Sequence, residues 1–408
     1  MNSNASRPTK TSLLLLASLL LLLAFGASGC SDKKSFSESN EYDPNFDYPY
    51  AFHRQGYALN FAPSEDGYYV TYKNLLYFID AQRLQPIVLD ARPNNGCKSA
   101  PTVETCRALV SNEQIFIRFT QVYDERLYTL ESKTIDGEGG VPQTEYTLVR
   151  MKLDGTSREN VMTFPLRPTT IALHRGYLYF TMTGSDKDGR YTSSVNRVSM
   201  ENPAGKAEVL GETKDEKAQY LDVLPFGNQI YWHLLGSPYH AYRHDLSSRE
   251  TIKLWDSSDS GSTNLQALSG DKLYFSRFYG NPNDPRSYIR YQSDLDGSQI
   301  QEVATPHPAV LSFLTADSAY LYQMPIIPYL EDAPGVPNRL DIFQKSDSAK
   351  AMSVDTSFAP RDFGLLPGDD RYFFATFMSK DGHPLYTALK KADIPSGKAA
   401  FTSFMENL

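Results

Sequence analysis

The amino-acid sequence predicts an all-β fold, a single β-propeller in which one four-stranded unit is repeated around an axis. Three observations predict it. A phrase of turn residues followed by a short aromatic strand recurs seven times, at intervals of about 40–60 residues, the period of propeller blades. Two further strand-like segments follow each phrase and a shorter apolar segment precedes it. No helical period of 3.6 interrupts this pattern. We expect seven four-stranded blades, with six or eight as the alternatives.

One aromatic residue lies at the centre of each phrase, and we expect it on the second strand of its blade. Such side chains would fill the space between neighbouring blades instead of forming a ligand platform. The dipeptides Asp154-Gly155 and Asp296-Gly297 are typical of tight hairpin turns further along the same units. The seven central aromatic residues are Tyr69, Phe116, Tyr179, Tyr231, Tyr274, Tyr320 and Phe373.

The first 29 residues are predicted to be an export signal. Arg7 and Lys10 precede an apolar run from Leu13 to Phe25, which at 13 residues is too short to span a bilayer. The run ends in Ala27-Ser28-Gly29-Cys30, which resembles the bacterial lipobox, with Ala27 where leucine is usual. This resemblance implies that Cys30 is acylated and becomes the mature N-terminus. A plain secretory signal with an incidental cysteine is the alternative.

Three regions follow from these observations. Residues 1–29 are the predicted signal peptide, residues 30–56 are a lipidated cysteine with a flexible polar tether, and residues 57–408 are the propeller. The expected location is the bacterial cell envelope, outside the cytoplasm, with the membrane bound through the N-terminal lipid. The protein is expected to be a monomer.

The remaining cysteines agree with export. Cys97 and Cys106 lie in a loop rich in Pro, Asn and Gly after the first unit, and an even number of cysteines in an oxidising compartment favours a disulfide. A metal site at this position would need further ligands, and no histidine or third cysteine lies nearby.

Charge and motifs exclude several classes of function. The net charge is −8, and removal of Arg7 and Lys10 with the signal peptide makes it −10, which disfavours nucleic acid as a partner. Phosphate-loop, nucleophile-elbow, H-E-x-x-H and C-x-x-C patterns are absent from the mature sequence. We predict no catalytic residues, no metal and no cofactor. His233, His240 and His244, and the pair Asp186 and Asp188, are interpreted as ordinary strand and turn residues.

Two segments carry a family resemblance. Leu148 to Val161 and Ile289 to Val303 resemble the repeats of TolB-like bacterial propellers, and Ile230 to Leu234 resembles the YWTD-type propellers, although only Tyr231-Trp232 matches that motif. The lipobox and the cysteine-bearing first loop are also similar to bacterial surface lipoproteins with a DUF5050-like domain. The resemblance implies the propeller fold and transfers no functional residue.

The sequence favours a non-catalytic binding or scaffolding lipoprotein that takes an envelope protein or a glycan. An envelope hydrolase or lyase acting on carbohydrate or peptide is the alternative, and a structural module without a small ligand is the third hypothesis. We place the binding site on the face that carries the connections from second to third strands, because those loops (residues 121–143, 183–191, 235–240, 279–287 and 325–338) are long and varied. The expected ligand-binding residues are Tyr239, His240, Tyr279, Asp284, Arg286, Tyr288 and Tyr329.

The lipid anchor gives the first testable prediction. Cys30→Ala removes the only thiol that the resemblance marks for acylation, so the exported protein should move from the membrane to the soluble fraction. Fractionation of a bacterial host that expresses either form measures this. A variant that stays as membrane-bound as the wild type would disprove the anchor.

Overall fold

The structure is a computed structural model that describes residues 36–52, 61–98, 101–102, 104–110, 119–136, 142–185, 188–189, 191–235, 240–255, 262–278, 288–303, 312–325, 338–346, 349–358, 361–378 and 384–405. Two units are distinguished, Met1–Ser37 and Glu38–Leu408. The second unit contains the propeller and, in addition, a segment that the sequence analysis assigned to the tether.

Seven antiparallel four-stranded sheets make up the fold, and each sheet uses four strands that are consecutive in the chain. The prediction of an all-β propeller with seven four-stranded blades is therefore confirmed. The first four blades contain β1 (Phe61–Pro63), β2 (Gly67–Tyr72), β3 (Leu75–Asp80), β4 (Pro86–Val88), β5 (Thr120–Tyr123), β6 (Arg126–Asp136), β7 (Pro142–Lys152), β8 (Glu159–Phe164), β9 (Pro168–His174), β10 (Tyr177–Ser185), β11 (Tyr191–Ser199), β12 (Glu208–Thr213), β13 (Gln219–Phe226), β14 (Gln229–Leu235), β15 (His240–Asp245) and β16 (Thr251–Leu254). The last three contain β17 (Ser262–Ser269), β18 (Lys272–Phe278), β19 (Tyr288–Asp294), β20 (Gln301–Glu302), β21 (Ser312–Ala316), β22 (Tyr320–Pro325), β23 (Arg339–Gln344), β24 (Lys350–Asp355), β25 (Arg361–Leu366), β26 (Tyr372–Met378), β27 (Pro384–Lys390) and β28 (Phe401–Ser403).

In each of the seven blades, the third residue of the second strand carries a buried aromatic side chain that packs against the next blade. Alternate strand residues point to opposite faces of a sheet, so this one position serves the same role in every blade. The seven residues are Tyr69, Tyr128, Tyr179, Tyr231, Tyr274, Tyr322 and Phe374.

Tyr320 and Phe373 lie on the second strands β22 and β26, as expected, although not at the repeated position, whereas the prediction for Phe116 is wrong. Phe116 lies outside the described residues, and the second strand of its blade is β6, with Tyr128 at the repeated position. Tyr320 and Phe373 precede the repeated position by two residues and by one. The one-residue offset turns Phe373 toward the preceding blade, where its ring centroid lies 4.3 Å from that of Tyr322.

Aromatic stacking closes the ring between the last and the first blade. The rings of Phe61 and Phe374 are stacked with centroids 4.5 Å apart. The Tyr68 hydroxyl donates to Asp369 Oδ2 at 2.7 Å across the same junction. Because each blade is continuous in the chain, this junction is closed by side chains and not by a shared strand.

Residues 38–52, which we name the strap, cross one face of the propeller. This face carries the turns between first and second strands and between third and fourth strands, and we call it the turn face. The Asp124 amide donates to Asn45 O at 2.7 Å and the Gly368 amide donates to Ala51 O at 3.3 Å, from the second and seventh blades. The strap ends in a 3-10 turn at Tyr50–Phe52, which packs on β13 and β17 of the fourth and fifth blades.

A buried ion pair fixes the strap to the third blade. Arg175 lies in the two-residue turn between β9 and β10 with φ +42°, and Nε and Nη2 donate to the two carboxylate oxygens of Asp47 at 2.7 and 2.9 Å. Nη1 donates to Ser39 O at 2.8 Å and Nη2 donates to Glu41 O at 3.1 Å. Asp47 and Arg175 are both buried, and four hydrogen bonds compensate the guanidinium for its loss of water. The expectation of a flexible tether through residue 56 is thus wrong for the strap.

Next to this pair, His174 links the strap to the fourth blade. Its buried ring accepts the Tyr48 amide proton at Nδ1 (3.1 Å) and donates from Nε2 to Gly227 O (2.7 Å), so the neutral tautomer fits both bonds. Burial lowers the pKa of His174 to about 4. Asp47 Oδ1, 3.5 Å from Nδ1, acts against this shift without cancelling it.

The predicted disulfide between Cys97 and Cys106 is present, with Cα atoms 4.9 Å apart. It lies in the connection between the first two blades, whose side chains pack against both. Asp90 organises this connection: its carboxylate accepts Arg92 Nη2 at 2.7 Å and the Arg107 amide at 2.8 Å. The hydrogen bond from Arg92 holds the pKa of Asp90 well below its usual range.

Among the described residues, no helix is long and apolar enough to cross a membrane.

The strap predicts a measurable loss of stability. Asp47→Ala leaves a buried guanidinium without its carboxylate, which should lower the free energy of unfolding by about 3–5 kcal/mol. Glu41→Ala is the matched control, because its exposed side chain lies in the same segment while its carbonyl keeps the bond to Arg175. Thermal or urea unfolding measures both variants. Equal stability of Asp47→Ala and Glu41→Ala would contradict the role of the ion pair.

The buried histidine predicts a pH dependence. The pKa of His174 is about 4 in the folded protein against 6.5 when unfolded, so the unfolded chain binds more protons between these values. His174 should therefore contribute stability above pH 6.5 and lose roughly 3 kcal/mol of it as the pH falls toward 4. Burial also lowers the pKa of His244, so its contribution to stability is lost in the same direction, as the pH falls. The test is the difference in unfolding free energy between the wild type and His174→Gln at pH 7 and pH 4.5, and a constant difference would contradict it.

Candidate functional site

A cavity of about 1490 Å³ lies on the turn face, between the strap and the blades. Turns of the first, second, sixth and seventh blades form its floor and sides, at Ser64–Asp66, Asp124–Glu125, Lys152–Asp154, Asp317–Ser318 and Gly368–Arg371. Strap residues between Tyr42 and Phe52 form the remaining wall. We name this feature the turn-face cavity.

The cavity lining is strongly acidic, since eight carboxylates line it against the three basic side chains of Arg126, Lys152 and Arg371. The folding of the repeat explains the concentration, because aspartate favours turns and the same turn of each unit lies on the same face of a propeller. The carboxylates belong to Glu65, Asp66, Asp124, Glu125, Asp154, Asp317, Asp369 and Asp370.

Three of these carboxylates serve the fold. Asp317 is buried and accepts the Tyr322 hydroxyl at 2.6 Å together with an ion pair from Lys391. Asp369 accepts Arg371 Nε at 2.8 Å in addition to the Tyr68 hydroxyl. Asp154 accepts the Thr156 amide at 2.9 Å inside its own hairpin turn.

Four other carboxylates are available to a ligand. Glu65, Asp66, Glu125 and Asp370 are exposed, and within the described residues their side chains have no hydrogen bond or ion pair. They come from the first, second and seventh blades, which are consecutive around the ring. Their charges therefore converge on one cavity, and within the described residues none of the four forms an ion pair with its three basic side chains.

Aromatic side chains share the lining with these carboxylates. Tyr42 and Tyr50 come from the strap, with ring centroids 6.3 Å apart, and Tyr69 comes from the first blade. Burial raises the pKa of Tyr69 to about 12, and the charges of Asp66 and Asp154 act in the same direction. Burial, followed by Asp317 and Asp370, also raises the pKa of Tyr50. Both phenols stay protonated at neutral pH in a negative local field.

This arrangement is chemically suited to hold a cation. Unpaired carboxylates attract positive charge, and an aromatic face beside them adds a cation–π contribution of about 0.5–2 kcal/mol per contact. The volume exceeds the roughly 300–1,000 Å³ of ordinary small-molecule pockets, so the cavity has room for a ligand larger than a typical metabolite.

Five of the seven ligand-binding residues predicted from sequence lie outside the described residues: Tyr239, Tyr279, Asp284, Arg286 and Tyr329. The predicted lipidation site, Cys30, lies outside them as well. Of the others, His240 begins β15 opposite Leu234, with its ring 6.4 Å from that of Tyr242. Tyr288 begins β19, with its backbone opposite Phe278. The role of all seven residues stays a prediction.

Two of the predicted long loops are wrong in extent. Residues 121–143 were expected to form one loop, but β6 and β7 occupy Arg126–Asp136 and Pro142–Lys152 and pair along their full length. The expected loop 183–191 is shortened, because β10 continues to Ser185 and β11 starts at Tyr191. Polar strand ends explain both errors, since the ends of β6, β7, β10 and β11 lack the apolar alternation of a core strand.

The histidines have structural partners. His233 Nε2 accepts the Leu265 amide at 2.8 Å, and His244 Nδ1 lies 2.9 Å from Thr251 Oγ1. Asp186, half of the weak calcium-like pair, lies outside the described residues. In the part of the chain that the structure describes, one group has metal-ligand spacing, Asp90 with Cys97 and Cys106, and its two sulfur atoms are joined in the disulfide.

Sequence reasoning missed the turn-face cavity, although a signal for it was present. Asp66, Asp317 and the pair Asp369-Asp370 all belong to the turn parts of the repeated phrases. Because equivalent turns share one face, acidic residues recurring at that position predict an acidic face. The strap wall had no such signal.

Comparison with known proteins supports the fold alone. No family model and no curated protein matches this chain. Among solved structures, it is similar to a puromycin-hydrolyzing peptidase of Mycobacterium tuberculosis, with 12% identity, a TM-score of 0.50, and 88% of this chain and 52% of that chain covered. It is also similar to a prolyl endopeptidase structure, with 13% identity and a TM-score of 0.52. That similarity covers 97% of this chain and 54% of that chain. The chain thus spans about half the length of these peptidases.

Proposed function

We propose that this chain is a lipid-anchored binding module of the bacterial cell envelope, and that the turn-face cavity is its ligand site. The ligand is a peptide segment of an envelope protein that carries lysine or arginine side chains. The observation that carries the proposal is the convergence of Glu65, Asp66, Glu125 and Asp370, without partners among the described residues, on one cavity that also presents tyrosine rings.

The size and charge of the cavity support a basic peptide over the other envelope ligands. A neutral glycan would leave four carboxylates without positive partners, and the negative field would contribute nothing to its recognition. A lone small cation would use little of a 1490 Å³ space. An extended basic segment supplies several charges along its length, and its apolar stems can cover the rings of Tyr42 and Tyr50.

Cell-envelope anchoring rests on the sequence. The lipobox at Cys30 and the export signal before it support a membrane-bound, extracytoplasmic protein, and the disulfide between Cys97 and Cys106 fits an oxidising compartment.

A hydrolase is the second candidate, because the two structural neighbours named above are peptidases. A similarity at 12–13% identity transfers the fold and no activity. Release of the amine from prolyl or aminoacyl test substrates by the purified protein would favour this candidate over the binding module.

The proposed site predicts how binding responds to charge removal. The triple variant Asp66→Asn, Glu125→Gln, Asp370→Asn should bind a short oligolysine peptide about tenfold more weakly than the wild type, since each partly exposed charge pair contributes about 0.2–1 kcal/mol. The Kd of the wild type should also rise with salt concentration. Isothermal titration calorimetry measures both effects.

Asp136→Asn is the matched control, because Asp136 is an exposed carboxylate at the far end of β6, on the opposite face. It should bind like the wild type. Unchanged binding in the triple variant, or weaker binding in the control alone, would contradict the assignment.

A further inference from the structure

The strap starts on the turn face near the axis of the propeller. Ser39 O accepts Arg175 Nη1 in the third blade, and Asn40 lies directly against Gly227 in the fourth, where a Cβ atom would come within 2.7 Å of Asn40 Cα. Both partners lie in turns between first and second strands, which are the inner strands of a blade. The first residues of the strap therefore lie at the inner part of the turn face.

Only a short stretch separates this point from the predicted lipid. Eight peptide steps connect Cys30 to Glu38, which span at most about 29 Å when fully extended. Because residues 38–52 are docked as the strap, only residues 31–37 of the expected tether separate Cys30 from the strap.

We infer that the turn face is the membrane-proximal face of the anchored protein, with the opposite face directed away from the bilayer. This inference rests on the proposed anchor at Cys30. To lay the opposite face on the bilayer, the tether would first cross a blade, which is three strand spacings or about 14 Å. It would then run the depth of the propeller, about 20 Å for second strands of 6 or 7 residues. The sum, about 34 Å, exceeds the reach of the tether.

The orientation decides from where a ligand arrives. The turn-face cavity opens on the same face, so its ligand is captured in the narrow space between the bilayer and the propeller. A basic segment located close to the membrane surface of the same envelope is within reach of the cavity. The connections from second to third strands face away from the membrane.

The two ends of β6 provide a matched test of orientation. Glu125 precedes the strand on the turn face and Asp136 ends it on the opposite face, both are exposed, and the strand of 11 residues separates them by roughly 33 Å. Glu125→Cys and Asp136→Cys each add one thiol for a donor dye, because Cys97 and Cys106 are paired. The lipidated full chain is placed in phosphatidylcholine vesicles that contain an acceptor-labelled lipid, and energy transfer is measured.

The donor at position 125 should transfer at least twofold more efficiently than the donor at position 136. Insertion of a long Gly/Ser segment after Ser31 should reduce the difference, because the longer tether reaches around the edge. Equal or reversed efficiencies at the natural length would overturn the inference while leaving the anchor intact. If the wild type and Cys30→Ala associate with vesicles to the same extent, both the anchor and the orientation are wrong.

Discussion

The buried ion pair between Asp47 and Arg175 is the interaction on which the functional architecture depends. Removing both charges from water costs several kcal/mol each, and this cost is offset only because the bonds are bidentate and two strap carbonyls complete the guanidinium. Such a pair is demanding in its geometry, so it specifies where the strap lies. The strap in turn forms one wall of the turn-face cavity and determines where the N-terminal chain leaves the propeller.

The propeller gives this interaction a rigid platform. One buried aromatic position per blade, packed against the next blade, sets the repeat, and the stacking of Phe61 on Phe374 closes the ring without a shared strand. Because no strand is shared between the seventh and the first blade, this junction is the one at which the ring opens most easily. Phe52 of the strap packs there with Phe374 and Tyr68, with ring centroids 6.2 and 6.1 Å away, so the strap also reinforces the closure.

The fold was accessible from sequence because its determinants are local and repeated. Turn residues before a short aromatic strand predict a blade wherever they occur, and two cysteines in one loop predict their own pairing. The errors arise where partners are distant: Asp47 reads as one more polar residue of a tether until Arg175, 128 positions away, is brought to it by the fold. The cavity was missed for the same reason, because Asp66 and Asp370 are far apart in the sequence and line one cavity only after the ring closes. The error at Phe116 came from a locally convincing phrase, while the true strand around Tyr128 carries charged residues at both ends.

The central claim is that the strap is an integral part of the propeller and not a tether, and native-state hydrogen exchange tests it most directly. The amides of Tyr48, Asp124, Arg175 and Gly368 all donate across the boundary between the strap and the blades. The account predicts that these four amides exchange as slowly as those of the inner strands, because they open only when the propeller opens. Rapid exchange of all four amides while the strands stay protected would contradict it.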